Sequence, residues 1–189
     1  MDLSPREAED ALAVVQMMMD KTRRAISNTG AYIFLIIWGF VWLFGFSANH
    51  FLTGETVGYS WMVLDILGGA LSVVMGIRLG KKFRRTSINK TGKNIGYFWL
   101  LLFVYCGLLL LVVNPVDMKT GAMIIVLFVM IGWIAMGLLL STTSIWWGLA
   151  ITALALVGYY LLPGIFYLWM AALGGGGMIA LGFYIRSRW

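Results

Sequence analysis

Six stretches of the chain consist almost wholly of apolar residues, at about 30 to 52, 59 to 80, 96 to 113, 121 to 141, 145 to 162 and 164 to 185. A helix rising ~1.5 Å per residue crosses the ~30 Å hydrocarbon layer of a bilayer in runs of this length. Short connections join them in pairs, so the pattern predicts an all-α integral membrane protein, a six-transmembrane-helix bundle of three hairpins. The chain divides accordingly into residues 1–29, outside the bilayer, and a six-span domain over 30–189.

Ahead of the first span the pattern is amphipathic. In "SPREAEDALAVVQMMMDKTRRAI", Ser4, Pro5 and Glu7 form a capping box that opens a helix. Ala8, Ala11, Leu12, Val15, Met18, Met19 and Ile26 then recur on one face, opposite Glu9, Asp10, Asp20 and Arg24. Such a helix is expected to rest at the inner membrane boundary, or to dock a partner through the adaptable "MMM". "SNTG" at 27 to 30 ends it before the first span.

Composition strengthens the membrane assignment: 61% of residues are hydrophobic and 12% charged, far from the balance of a soluble domain. Charge then orients the bundle. With six crossings, only Lys119 of the fourteen Lys and Arg falls on the side opposite residues 1–29. Basic residues are retained in the cytoplasm, which predicts cytoplasmic N- and C-termini in the inner membrane. The net charge of +6 follows from that topology and calls for no nucleic acid. The loop 81–95 carries six basic residues and no acid. Lys81, Lys82, Arg84 and Arg85 could hold anionic lipid headgroups at the cytoplasmic face, at ~1 kcal/mol per charge, although topology alone also accounts for them. Cys106 is the single cysteine, so no intramolecular disulfide can form.

Glycines interrupt the apolar runs in two clusters near the bilayer midplane. Gly68 and Gly69, with Gly76 further along, lie in the second span, and Gly174, Gly175, Gly176 and Gly177 stand in a row in the sixth. The two segments can be overlaid so that Leu67, Gly68, Gly69, Ala70 and Gly76 align with Leu173, Gly174, Gly175, Gly176 and Gly182. Small residues allow close helix approach where no hydrophobic drive operates between helices. Candidate ridges are Gly68, Ser72, Gly76, Gly80 on the second span, Ala172, Gly176, Ala180 on the sixth, and Gly148, Thr152, Ala155, Gly158 on the fifth. Four glycines in a row cost ~1 kcal/mol each against alanine in a helix, yet an unwound backbone in hydrocarbon costs more. The run is therefore read as a thinned but continuous helix that packs closely, or as a hinge or break lining a site.

Asp65 is the only acid inside a span, and an intramembrane carboxyl is a functional candidate by default. It could carry a proton or offset a cationic ligand, or be satisfied by a hydroxyl, an indole or the backbone. Ser47 and Trp42 lie near its level on the first span. Trp38, Trp42 and Trp133 are deeper than an interfacial belt, and with Tyr105 they could line a cavity through cation-π contact or serve as core.

Catalytic constellations are absent from the sequence. One His, one Cys and one intramembrane acid assemble no metal site, no nucleophile with its base and no carboxylate pair. The glycine run lacks the Lys-Ser/Thr ending of a phosphate loop. Asn49, His50, Glu55 and Asp117 at the outer ends could bind a metal weakly, but solvated loop chemistry explains them as well. A non-enzymatic protein without cofactor is expected. It would bind or transport a lipophilic or cationic small molecule through Asp65, Trp38, Trp42, Tyr105 and Ser47. Alternatively it is an accessory, sensory or structural membrane subunit that contacts a cytoplasmic partner, another membrane chain or a second copy of itself.

Overall fold

The structure, a computed structural model, describes residues 31–82, 88–115, 117–140 and 144–188, together with Val14 and Met17. Val14 and Met17 are helical and exposed. The rest of the expected amphipathic helix lies outside the described residues, as do Arg84 and Arg85 of the basic loop.

Every described element is helical: α1 (Ala31–Phe51), α2 (Glu55–Lys82), α3 (Ile88–Val113), α4 (Met118–Leu140), α5 (Ser144–Leu161), α6 (Phe166–Trp169), a π-helical segment (Met170–Gly175) and α7 (Gly176–Arg188). Five helical stretches are long and apolar enough to cross a membrane: Tyr32–Phe51, Glu55–Leu79, Asn94–Val113, Met118–Leu138 and Phe166–Ser187, the last formed by α6, the π segment and α7 together. The chain is a multi-pass membrane protein. The fifth apolar run differs from the others, since its apolar stretch, Ile145–Leu161, is shorter.

Helix ends follow local chemistry. Gly54, in the left-handed region at φ 65°, turns the chain between α1 and α2. Asn114, at φ 41°, closes α3 while its N–H bonds to the Leu110 carbonyl, and Pro115 follows it. Asp117 caps α4: its carboxylate accepts the Thr120 backbone N–H at 2.7 Å and the Thr120 hydroxyl at 2.7 Å. These two donors hold the Asp117 carboxyl below the usual carboxylate range. Backbone helix continues past the apolar stretch at the start of α3, so Lys90 and Lys93 stand on a helix and the connection is shorter than the basic segment 81–95. Apolarity marks the part of a helix in hydrocarbon, and polar residues carry the same hydrogen-bond ladder into water.

The first helix is the centre of the molecule. It packs against α2 on one side and against α6, the π segment and α7 on the other, while α4 and α5 pair closely and α5 meets the same terminal span. The core joins Trp42 and Phe46 of α1 to Val126 and Met130 of α4, Ala155 of α5, and Phe166, Met170 and Met178 of the terminal span. Phe166 is fully enclosed, with Phe46 and Tyr159 edge-on at 6.5 and 5.9 Å. By contrast α2 and α3 are peripheral, and only 6% of the spanning stretch of each is buried.

Candidate functional site

The four-glycine run lies in a helix that does not unwind. Its first half belongs to the π segment, closed by a bond from the Gly176 N–H to the carbonyl of Ala171 five residues back. Phe166, Met170, Gly174, Met178 and Gly182 recur at every fourth residue, and all are buried. Four α-helical residues overshoot one turn by about 40°, so this row would spiral away from α1 in an unbroken α-helix. The wider π turn takes up part of that drift.

Each glycine meets a different neighbour. A β-carbon at Gly175 would stand 2.5 Å from the Leu43 nitrogen and 2.8 Å from the Gly39 carbonyl oxygen, so two backbones touch here without intervening side chains. The Trp42 ring lies over Gly174, 3.2 Å from where its β-carbon would be. A β-carbon at Gly176 would approach only the Ala171 carbonyl, at 3.9 Å, and one at Gly177 would meet nothing within 4 Å. On the other side of α1, a β-carbon at Gly68 would press on Val41 at 2.8 Å. Residues 39–43 are thereby flanked at one level by glycines of two other helices.

Ridge by ridge, the small residues are used unequally. Gly148 and Gly158 of α5 face Ile134 and Trp169, and Ala155 between them is fully buried. The Trp169 indole nitrogen donates to the Leu154 carbonyl at 2.8 Å, fastening α6 to α5. On the terminal span, Ala172 and Ala180 are exposed, and the contact with α1 runs instead through Gly175, Ile179 and Gly182. On α2, Gly69 and Gly76 face open space, and the Ser72 hydroxyl oxygen is buried with no described partner.

Beside the glycine run lies a cavity of about 170 Å³. Its walls are Leu35 of α1, Met130 and Trp133 of α4, Trp147, Ala150, Ile151 and Leu154 of α5, and Leu173, Gly177 and Leu181 of the terminal span. Gly177, where a β-carbon would meet nothing within 4 Å, leaves space beside the two indoles, whereas Gly148 lets α5 close on Ile134. No lining residue is ionisable. Trp147 and Leu173 of its lining are 45% and 38% exposed, so it is an open apolar cleft, of a size and chemistry that suit part of a lipid tail or a small lipophile.

The sequence candidates do not converge on that cavity. Trp42 is buried in the core, edge-on to Phe46 at 5.6 Å, and the Ser47 hydroxyl donates to the Leu43 carbonyl at 2.6 Å within its own helix. Trp38 stacks on Phe103 at 5.9 Å, while Tyr105 is 64% exposed on α3. Asp65 is exposed on α2, and no described residue pairs with it. Lys81 is exposed at the far end of that helix. Of the deep indoles, Trp133 alone lines the cavity.

Sequence reasoning also missed a polar fastening at the opposite end of the bundle from Lys81. Asn49 accepts the Trp61 indole N–H and lies at hydrogen-bonding reach of Tyr167, joining α1, α2 and α6. The Thr120 and Tyr159 hydroxyls meet at 2.9 Å, and the Lys119 ammonium sits 4.6 Å above the Tyr159 ring. Asp117 before an apolar run was a readable cap signal; cross-helix pairs leave no local trace. Among the described residues no three His, Cys, Asp or Glu side chains gather. No family model, curated protein or solved structure matches this chain.

Proposed function

We propose that this is a non-catalytic membrane protein that binds a lipophilic molecule in the cavity between α1, α4, α5 and the terminal span. One observation carries the reading: an apolar cavity of about 170 Å³ opens beside the glycine run, with Gly177 presenting bare backbone to it. A lining without ionisable groups favours a neutral lipophile over a cation, since a buried cation without a counter-charge pays its full desolvation cost. The protein crosses the bilayer six times as three hairpins, with both termini on the cytoplasmic side of the inner membrane, as the placement of Lys and Arg supports. The charges of Lys81, Lys82, Arg84 and Arg85 would then suit anionic lipid headgroups on that side.

Native mass spectrometry of the protein extracted gently from its own membrane tests the reading. A bound lipophile should be present in the wild type and in Asp65→Asn, and lost in Gly177→Leu, whose side chain fills the cavity. A protein that carries no small molecule, or one retained equally by Gly177→Leu, would sink the proposal.

A second reading, a membrane subunit that packs against another chain, is favoured by α2 and α3, which bury 6% of their spanning stretches.

A further inference from the structure

The outward flank of α2 carries a seam that no described residue covers. Gly58, Met62, Asp65 and Gly69 follow one another at intervals of four, three and four residues, with Gly76 seven residues further on, the spacing by which one helix grips another in a left-handed pair. β-carbons at Gly58, Gly69 and Gly76 would meet nothing within 4 Å, so a second backbone can approach closely there, as small residues allow between helices in lipid. Asp65 stands within this seam, exposed and unpaired among the described residues. It lies ten residues into a helix that begins at Glu55, so about 15 Å along it at ~1.5 Å per residue, well inside the hydrocarbon.

Charge decides what fits the seam. Among the described residues no Lys, Arg or His stands at the depth of Asp65: Arg78 is thirteen residues further along the same helix, His50 is at the end of α1, and Lys119 is engaged by Tyr159. A second copy packed on this face would bring its own Asp65 to the same level, and two carboxyls sharing a site oppose each other. A basic side chain on a partner helix instead satisfies the carboxyl where water cannot, which is how ionisable groups persist in membranes. We infer that the Gly58–Gly76 face of α2 docks a transmembrane helix of another polypeptide that carries a Lys or Arg at the depth of Asp65. This rests on the subunit reading and leaves the lipophile cavity, on other helices, independent of it.

The test uses the full chain with a donor fluorophore at its N-terminus, reconstituted in phosphatidylcholine vesicles. Its partner is a synthetic leucine-alanine spanning helix that carries an acceptor and a single Lys at the matching depth. Energy transfer should report association about tenfold tighter than with the same helix bearing Leu in place of Lys. The advantage should vanish in Asp65→Asn and in Gly69→Leu, and return when Asp65→Lys is paired with a helix bearing Asp. Because Asp65 is exposed, Asp65→Asn should keep wild-type helicity, read by circular dichroism. Equal association of the Lys and Leu helices overturns the inference, as does self-association of the full chain that Gly69→Leu abolishes. A polypeptide that co-purifies equally with the wild type and Asp65→Asn leaves the subunit reading standing and overturns this inference alone.

Discussion

At the scale of single residues, the glycine run shows that identical neighbours in sequence can have opposite roles in space. Gly175→Ala places a methyl within 2.5 Å of the Leu43 backbone, which neither a rotamer change nor a side-chain shift relieves, so α1 and the terminal span must separate. The expected cost is at least the 1–3 kcal/mol typical of overpacking. Gly177→Ala meets nothing and removes a helix penalty of ~1 kcal/mol, so it should leave stability unchanged or raise it. Thermal unfolding of the two variants in one detergent checks both, and a Gly175→Ala protein as stable as the wild type would refute the contact. The sequence shows that glycine is concentrated here, but not which glycine faces what, because that depends on where α1 crosses. Gly39, the other half of the closest approach, stands singly in "IIWGFVW" and forms no cluster that would draw notice. Asp65 was legible as a residue needing a partner, whereas its outward direction was not.

At the scale of elements, the apolar runs read well. Hydrocarbon imposes one requirement, internally satisfied backbone, and composition reports it directly. The π segment was illegible for the opposite reason: it helps keep Phe166, Met170, Gly174, Met178 and Gly182 on one buried side, a condition set by the surrounding helices and not by local sequence. A π turn also holds one residue more than an α turn, and it makes the terminal span unusually tolerant of shortening at one place. Deleting the exposed Ala172 should convert the segment to α-helix while leaving α6 and α7 in phase. Deleting the exposed Ala180 should rotate everything beyond it by about 100° and carry Gly182 off Ile36. Expression and melting of the two single-residue deletions compare them directly, and equal damage from both would count against the π turn as the absorbing element.

At the scale of the whole molecule, polar groups settle at the two ends of an apolar bundle. Lys119 and Asn49 lie toward one end and Lys81 toward the other. On the proposed topology, a membrane-impermeant maleimide added to intact spheroplasts should label Lys119→Cys at once and Arg186→Cys only after permeabilisation. The reverse pattern would invert the protein, and labelling of both would change the number of crossings. The burial of α1 on two sides also bears on how the molecule is made. Its Gly39 and Trp42 face is covered by residues 166–188, which leave the ribosome only after α2 through α5. During synthesis α1 therefore waits beside lipid with Gly39 bare, and the bundle closes only when the terminal span arrives to fill the space held for it.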